Sequence, residues 1–378
     1  MKIVFAGSIG RCGLGGQAWA SLQYLIGLRE LGHDVFYLED CGESSWVYNW
    51  EKQEWTFDLE YPAAYVRDSL APFGLGEKWI YRTNKDSLGA PLKSFVDFCS
   101  SADLLIVRNL PLLDWRDEYN RPARRAFIDG DPAFTQINIA NGDVLLATAI
   151  ARCEKRFTVG YRYGSPHCLI PDAGGPWVPT KHPVVLSQWP FVKNDATHFT
   201  SVVRWQGFKE VQFKGVTYGQ RDKQFPKYMV LPRRSSQKFC MAIMGVKPEE
   251  LTKFGWETAP GEIISKTAFG YREFIQNSRG EFSVPKNGYV QSRSGWFSDR
   301  SVCYLASGRP LLMEDTGLAD WLPIGEGIVT FTNPDEAIAG VEKINSNYEQ
   351  HRRAAREIAE NHFASERVLP EFLKEAMD

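Results

Sequence analysis

The chain opens on KIVFA (2–6), an apolar run of single-strand length, followed by a glycine-rich stretch from Gly7 to Gly16. Over 17–31 the apolar positions move to helical spacing, with Trp19, Leu22, Leu25, Ile26 and Leu28 on one pattern and Gly32 as the stop. DVFYLED (34–40) then returns to a strand pattern. A strand–helix–strand unit of this kind predicts a parallel sheet with helices on both faces. ADLLIVRNL (102–110), ARRAFIDGDP (123–132) and KRFTVGYRYG (155–164) read as further strands, and DVLLATAIARC (143–153) as a helix. The segment 164–195 is dense in Pro and Gly, and a domain boundary is expected at its end. A second series follows, with strands over 197–205, 238–245, 280–284 and 309–315 and a short helix over 248–255 opened by a proline. Helices are expected over 334–345 and 348–378, the last with an apolar stripe of Ala354, Ala355, Ile358 and Ala359. The expected fold is α/β: two doubly wound domains, 1–195 and 196–347, facing a cleft, and a C-terminal helix over 348–378 crossing back to the first. Ligands bind such sheets at the carboxyl ends of the strands.

A formal net charge of −2 and a pI near 6.4 leave no basic footprint for nucleic acid, though a local patch stays open. Seven scattered cysteines without a C-x-x-C pair argue against a disulfide framework or a zinc site. No apolar run reaches membrane-span length, and the N-terminus reads as a strand rather than a signal peptide, so a cytoplasmic protein is expected. Residues 41–91 are rich in Trp, Tyr and Pro and read as a decorated connection of unclear purpose.

The segment RSGWFSDRSVCYLASGRPLLMED (293–315) carries the strongest chemical signal. It reads as loop, short helix, Gly308 and buried strand, with Gly295, Ser298, Asp299, Arg300 and Ser301 at the entry to the helix. Free N–H groups and the positive dipole end there suit phosphate. Ser298 or Asp299 would cap the helix, and Arg300 would add a charged clamp; a capped helix with an incidental arginine is the plainer alternative. Gly13-Leu14-Gly15-Gly16-Gln17-Ala18 matches G-x-G-x-x-A, with Glu39 placed for a ribose hydroxyl, as in an NAD-dependent oxidoreductase. Ser8 to Cys12 separate that loop from its strand, which favours a glycine loop lining a cleft, or a simple tight turn. Asp129-Gly130-Asp131 ends a strand; its carboxylates suit a base with an orienting partner, an acceptor ligand or a turn, and it is the one D-x-D present as a metal motif. His198, Asp172 and His167 are further base candidates, and Trp177 in PDAGGPW (171–177) is a candidate sugar-stacking surface.

Two regions together resemble the GT-B glycosyltransferases. GGQAWASLQYLIGLRELGHDV (15–35) is similar to their opening, and YLASGRPLLMEDTGLADWLP (304–323) to their donor-site pattern of helix, A-x-G-x-P, apolar strand and D-x-G. The stretch 281–317 resembles bacterial sequences labelled only as uncharacterised glycosyltransferases. The resemblance implies two Rossmann-like domains, a nucleotide-diphosphate sugar as donor substrate, no tightly bound cofactor, no metal, and an acceptor in the N-terminal half: a small molecule, glycan, protein or modified nucleobase. Carried over, Arg293, Ser294, Gly295, Ser298, Asp299, Arg300 and Ser301 would hold the diphosphate. Asp315, Thr316 and Gly317 would face the sugar, and Trp256 to Thr258 the base. Arg204 and Lys223 would be added cations, with Gly13, Gly15, Gly16, Gln17, Asp129, His167 and Trp177 on the acceptor side. Many retaining members carry E-x7-E, but here Gly295 or Ser294 and Cys303 fall at those positions, with Asp299 four residues before Cys303 on the same helical face as the acid that would take over ribose binding. That leaves retention and inversion both open, along with a non-catalytic nucleotide- or glycan-binding protein.

Overall fold

Buried parallel strands need apolar residues on both faces, and the strongest apolar runs of this chain become such strands. In the computed structural model, which describes all residues except 44–45, 110–111 and 113, the N-terminal half contains β1 (Lys2–Ala6), β2 (Asp34–Asp40), β3 (Val47–Asn49), β4 (Glu54–Thr56), β5 (Trp79–Arg82), β6 (Ser87–Gly89), β7 (Leu104–Arg108), β8 (Arg124–Asp129), β9 (Lys155–Thr158) and β10 (Val178–Pro179). Leu110, at the end of one expected strand, lies outside the described residues. Eight of these strands form one sheet in the order β10-β9-β8-β7-β1-β2-β5-β6, parallel except for the β5–β6 edge hairpin. β3 and β4 form a separate antiparallel hairpin.

The C-terminal half contains β11 (His198–Arg204), β12 (Val211–Phe213), β13 (Val216–Tyr218), β14 (Lys238–Met244), β15 (Glu257–Pro260), β16 (Gly280–Ser283), β17 (Leu311–Glu314) and β18 (Ile328–Phe331). Six of them pair in the order β15-β14-β11-β16-β17-β18, all parallel. The architecture is thus two doubly wound α/β sheets. The strand expected over 155–164 is shorter, ending at Thr158, because the chain turns there into the seam between the halves.

The halves are closely joined. The helix Gly15–Glu30 is buried along most of its length, since the C-terminal half covers the side away from its own sheet. Gly15 is required there: a Cβ would lie 2.3 Å from the Thr267 carbonyl oxygen, and its N–H donates to Ser265 O at 2.6 Å. The Trp19 indole N–H donates to Ala268 O across the same contact. The chain end splits into helices Tyr348–Ile358 and Ser365–Met377 joined by a π turn. The last helix packs on the N-terminal half, with Leu369 against Gly27 and Phe372 against Tyr24 and Phe157. Among the described residues no helix is long and apolar enough to cross a membrane.

Candidate functional site

The carboxyl ends of β11 and β14 open onto a cavity of about 900 Å³ between the halves. From the C-terminal half, Val202, Arg204, Met244, Gly245 and Tyr271 line it, together with Asp299 and Arg300 at the start of the helix Asp299–Ala306. From the N-terminal half come Arg11, Cys12, Gly16 and Gln17 and the aromatic face of the β3–β4 hairpin. The cavity therefore gathers Arg204, Asp299, Arg300, Gly16 and Gln17 of the sequence-derived candidates. It adds Arg11, which the sequence did not single out. Among the described residues, neither Arg11 nor Arg204 is in an ion pair, so each half presents one guanidinium free of direct carboxylate contact to the same space.

The loop before the Asp299–Ala306 helix is built from its small residues. Arg293 is exposed and ends the preceding helix at φ 50°; Gly295 continues at φ 68°, where a Cβ would meet Arg162 at 2.7 Å. Ser294 is buried, its hydroxyl near Tyr289 O and accepting from Trp296 N–H. Ser298 caps the helix by accepting from Arg300 N–H at 3.2 Å. The Arg300 side chain turns inward: Nε donates to Glu281 at 2.6 Å, Nη1 to Val202 O and Nη2 to Ser283 Oγ. Its charge is therefore matched by the buried Glu281 carboxylate, and Arg300 braces the cavity wall instead of standing free as a clamp. Ser301 is fully buried, and its hydroxyl has no partner among the described residues. Asp315 accepts from Gly317 and Leu318 N–H in a side-chain turn, and Thr316 donates to Trp296 O. Gly317 leaves room for Arg162, which reaches across from the N-terminal half to Asp320 at 2.7 Å.

A polar cluster continues along the seam. Asp129 at the end of β8 is buried and accepts from Thr135, Gln136 and Thr158. Burial raises its carboxyl above the ordinary value. Asp131 is more open, with 39% of its side chain exposed, and accepts from Lys286 at 2.6 Å and from the Tyr289 hydroxyl. Burial pushes Asp131 up, but the Lys286 ammonium and the Tyr289 hydroxyl outweigh it and hold the carboxyl below its ordinary value. Arg108, at the end of β7, reaches Asp299 at 3.4 Å and so links this cluster to the cavity wall. His182 is buried beside it, and burial lowers its pKa to about 4, so the ring is neutral near pH 7. Among the described residues no group of three or more His, Cys, Asp or Glu side chains is arranged to hold a metal ion.

Other candidates fall away from this cavity. His198 begins β11, at the amino end of the sheet, and its Nε2 faces Glu257 at 3.0 Å. Asp172 accepts from the Tyr163 hydroxyl in a separate surface pocket, and His167 is exposed nearby. Trp177 is mostly buried in the N-terminal core against Phe127, its indole N–H on Ala173 O, and it edges the same surface pocket as Asp172 instead of this cavity. Trp256 is likewise a core residue, with its N–H on Met229 O, and half-buried Thr258 lies within β15; neither lines this cavity. Lys223 pairs with Glu210 at 3.7 Å outside the cavity lining. Gly13 ends a short helix, Ile9–Cys12, in the left-handed region. That helix explains the long spacing before the glycine loop and the fate of Glu39. The Glu39 carboxylate, 2% exposed, accepts from Gly10 and Arg11 N–H and the Tyr37 hydroxyl. It is not placed to bind a ribose. Cys303 is buried against Gln23, its thiol raised well above the ordinary value by burial.

Residues 228–375 match the family model described as glycosyl transferase-like. No curated protein matches the chain in sequence. Among solved structures, an alpha-glucosyltransferase in complex with UDP is similar over 100% of both chains, at 12% identity and a TM-score of 0.61. HepE from Anabaena, in complex with UDP-glucose, is similar over 99% of this chain and 98% of its own, at 11% identity and a TM-score of 0.58. An E. coli structure described as trehalose-6-phosphate bound with UDP-2-fluoro glucose is similar over 100% and 99%, at 10% identity and a TM-score of 0.54. These likenesses show that the chain has the two-domain GT-B fold, with residues 228–375 the part that matches the glycosyl transferase-like model.

Proposed function

We propose that the protein transfers a glycosyl group from a UDP-sugar to an acceptor hydroxyl. The observation that carries this reading is the pair of unpaired guanidinium groups, Arg11 and Arg204, facing one cavity at the start of the Asp299–Ala306 helix. In the reaction the bond from the anomeric carbon to the diphosphate oxygen breaks and the acceptor oxygen bonds to that carbon. Negative charge grows on the departing UDP. Two guanidinium groups and a helix N-terminus suit that charge without a metal ion. Asp299 takes the donor ribose, and the Asp315–Gly317 turn the donor sugar. The Arg293–Ser301 loop shapes the diphosphate site, with Arg300 as its brace. Asp131, ionised and partly open, is the base that accepts the acceptor proton, with Lys286 and Tyr289 orienting it. A base in that role gives inversion. The UDP of one structural neighbour and the UDP-glucose of another support uracil as the donor base.

Thermal unfolding with UDP, GDP, ADP, TDP, CDP, their sugars and NAD(H) tests the donor. UDP at about 100 times its Kd is expected to add about 2.7 kcal/mol, with no response to NAD(H). Arg204→Ala should abolish that shift. Asp131→Ala should retain it while losing transfer. Equal stabilisation by every nucleotide, or by none, would refute the proposal. Transfer that stops on chelation with EDTA would refute metal independence, and a retained anomer in the product would refute the base role.

A further inference from the structure

The β3–β4 hairpin has an unusual division of its two faces. Side chains alternate along a strand, so residues two apart share a face. On one face lie Val47 and Asn49, both buried against the body of the N-terminal half. On the other lie Trp46, Tyr48, Trp50, Trp55 and Phe57, with Trp46 42%, Trp55 56% and Phe57 63% exposed. The pairing Tyr48↔Trp55 gathers these rings into one surface. The Trp46 and Trp55 rings are 5.9 Å apart and within 17° of parallel, with Phe57 edge-on to Trp46 and Tyr48 edge-on to Trp55. The turn of the hairpin is anchored: Trp50, its first residue, packs against the core, its indole N–H donates to Cys12 O at 2.9 Å, and its backbone N–H donates to the Tyr61 hydroxyl. A hairpin held by its inner face and showing aromatic rings outward is a binding surface more than a piece of core.

The position and charge of this surface identify its ligand. Trp46, Tyr48, Trp50 and Trp55 line the same cavity as Arg204 and Asp299, so a molecule stacked on them reaches the donor site directly. Gln53 and Glu262 line that cavity too, and an amide or carboxylate oxygen is the kind of group that accepts hydrogen bonds from sugar hydroxyls. Residues 43–60 carry Glu43, Glu51, Glu54, Asp58 and Glu60 against Lys52 alone. That acidic excess disfavours a phosphate backbone or an anionic headgroup. A neutral sugar ring satisfies every condition, with an apolar C–H face to lie on indole and hydroxyls around its rim for the amide and carboxylates. We infer that the outer face of the β3–β4 hairpin is the acceptor subsite and that it takes a neutral saccharide, stacked on Trp46 and Trp55.

This inference rests on the transferase reading, and the experiment separates the two. Labelled protein is applied to an array of immobilised neutral glycans, with single- and double-stranded DNA oligonucleotides as the competing class. UDP-induced thermal stabilisation is measured on the same samples. The wild type is expected to be retained on a defined set of glycans and not on DNA. Trp46→Ala and Trp55→Ala should each weaken retention about tenfold, as expected for loss of one aromatic stacking contact. The double variant should lose retention, while Trp55→Phe keeps part of it. UDP stabilisation is expected to be the same in every variant, which also shows that each one folds. No glycan retained by the wild type, retention unchanged in the double variant, or a preference for DNA would each overturn the saccharide subsite. Glycan retention that depends on the two indoles, without any UDP response, would leave the subsite standing and remove the transferase reading instead.

Discussion

Replacing Arg300 by methionine removes a guanidinium that is 7% exposed while keeping most of its aliphatic volume. The variant loses the bond to Glu281 at 2.6 Å, that to Val202 O at 2.9 Å and that to Ser283 Oγ at 3.1 Å. Glu281 is 0% exposed, and its second oxygen has no partner among the described residues, so it is left as an unmatched buried carboxylate. Removing one partner of a buried pair costs about 3–5 kcal/mol. The expected loss is therefore about 3–5 kcal/mol at pH 7, measured by urea unfolding of Arg300→Met against wild type. Arg300→Met with Glu281→Leu should recover most of the loss. A cost below about 1 kcal/mol would refute the brace. If stability held while UDP binding vanished, Arg300 would be the phosphate clamp that the sequence reading assigned.

Burial raises the Glu39 carboxyl from 4.5 to about 7, so wild type holds more protons folded than unfolded across that window and loses stability as pH rises through it. Glu39→Gln removes this titration, and the stability difference between the two proteins should change by about 3 kcal/mol between pH 4.5 and 7, read from urea unfolding; a constant difference would contradict it. Gly15→Ala drives a Cβ into the Thr267 carbonyl, so small-angle scattering should show a wider separation of the halves, with unfolding lowered by about 1–3 kcal/mol; unchanged scattering would show that the backbone yields locally.

How much was legible follows from how each signal is carried. The strands KIVFA and DVFYLED and the helix between them were readable because burial on both faces forces continuous apolar runs, and a helix of that length imposes its own period. The loop-to-helix entry at Ser298 was readable because capping is local. The two-sheet GT-B fold followed from these patterns and from family resemblance. Spatial convergence had no such local trace. Arg11 in a one-turn helix, Arg108 at a strand end and Arg162 in a turn are single arginines, and only the packing of the halves brings Arg11 to Arg204, Arg108 to Asp299 and Arg162 to Gly317. Trp177 and Trp256 have the side chain a sugar platform needs, but their rings pack inward, while the two-residue alternation of the β3–β4 hairpin turns Trp46 and Trp55 outward. Arg300 and Glu39 show the same division. Their charges were plain in the sequence, but whether each charge serves a ligand or the fold was decided by a partner that tertiary structure alone delivers: Glu281 for Arg300, and the N–H groups of Gly10 and Arg11 for Glu39. The sequence determined the secondary elements and their order, because those depend on neighbours within a few residues. Tertiary structure decided which polar groups remain unpaired to meet a substrate, because pairing depends on residues tens to hundreds of positions apart.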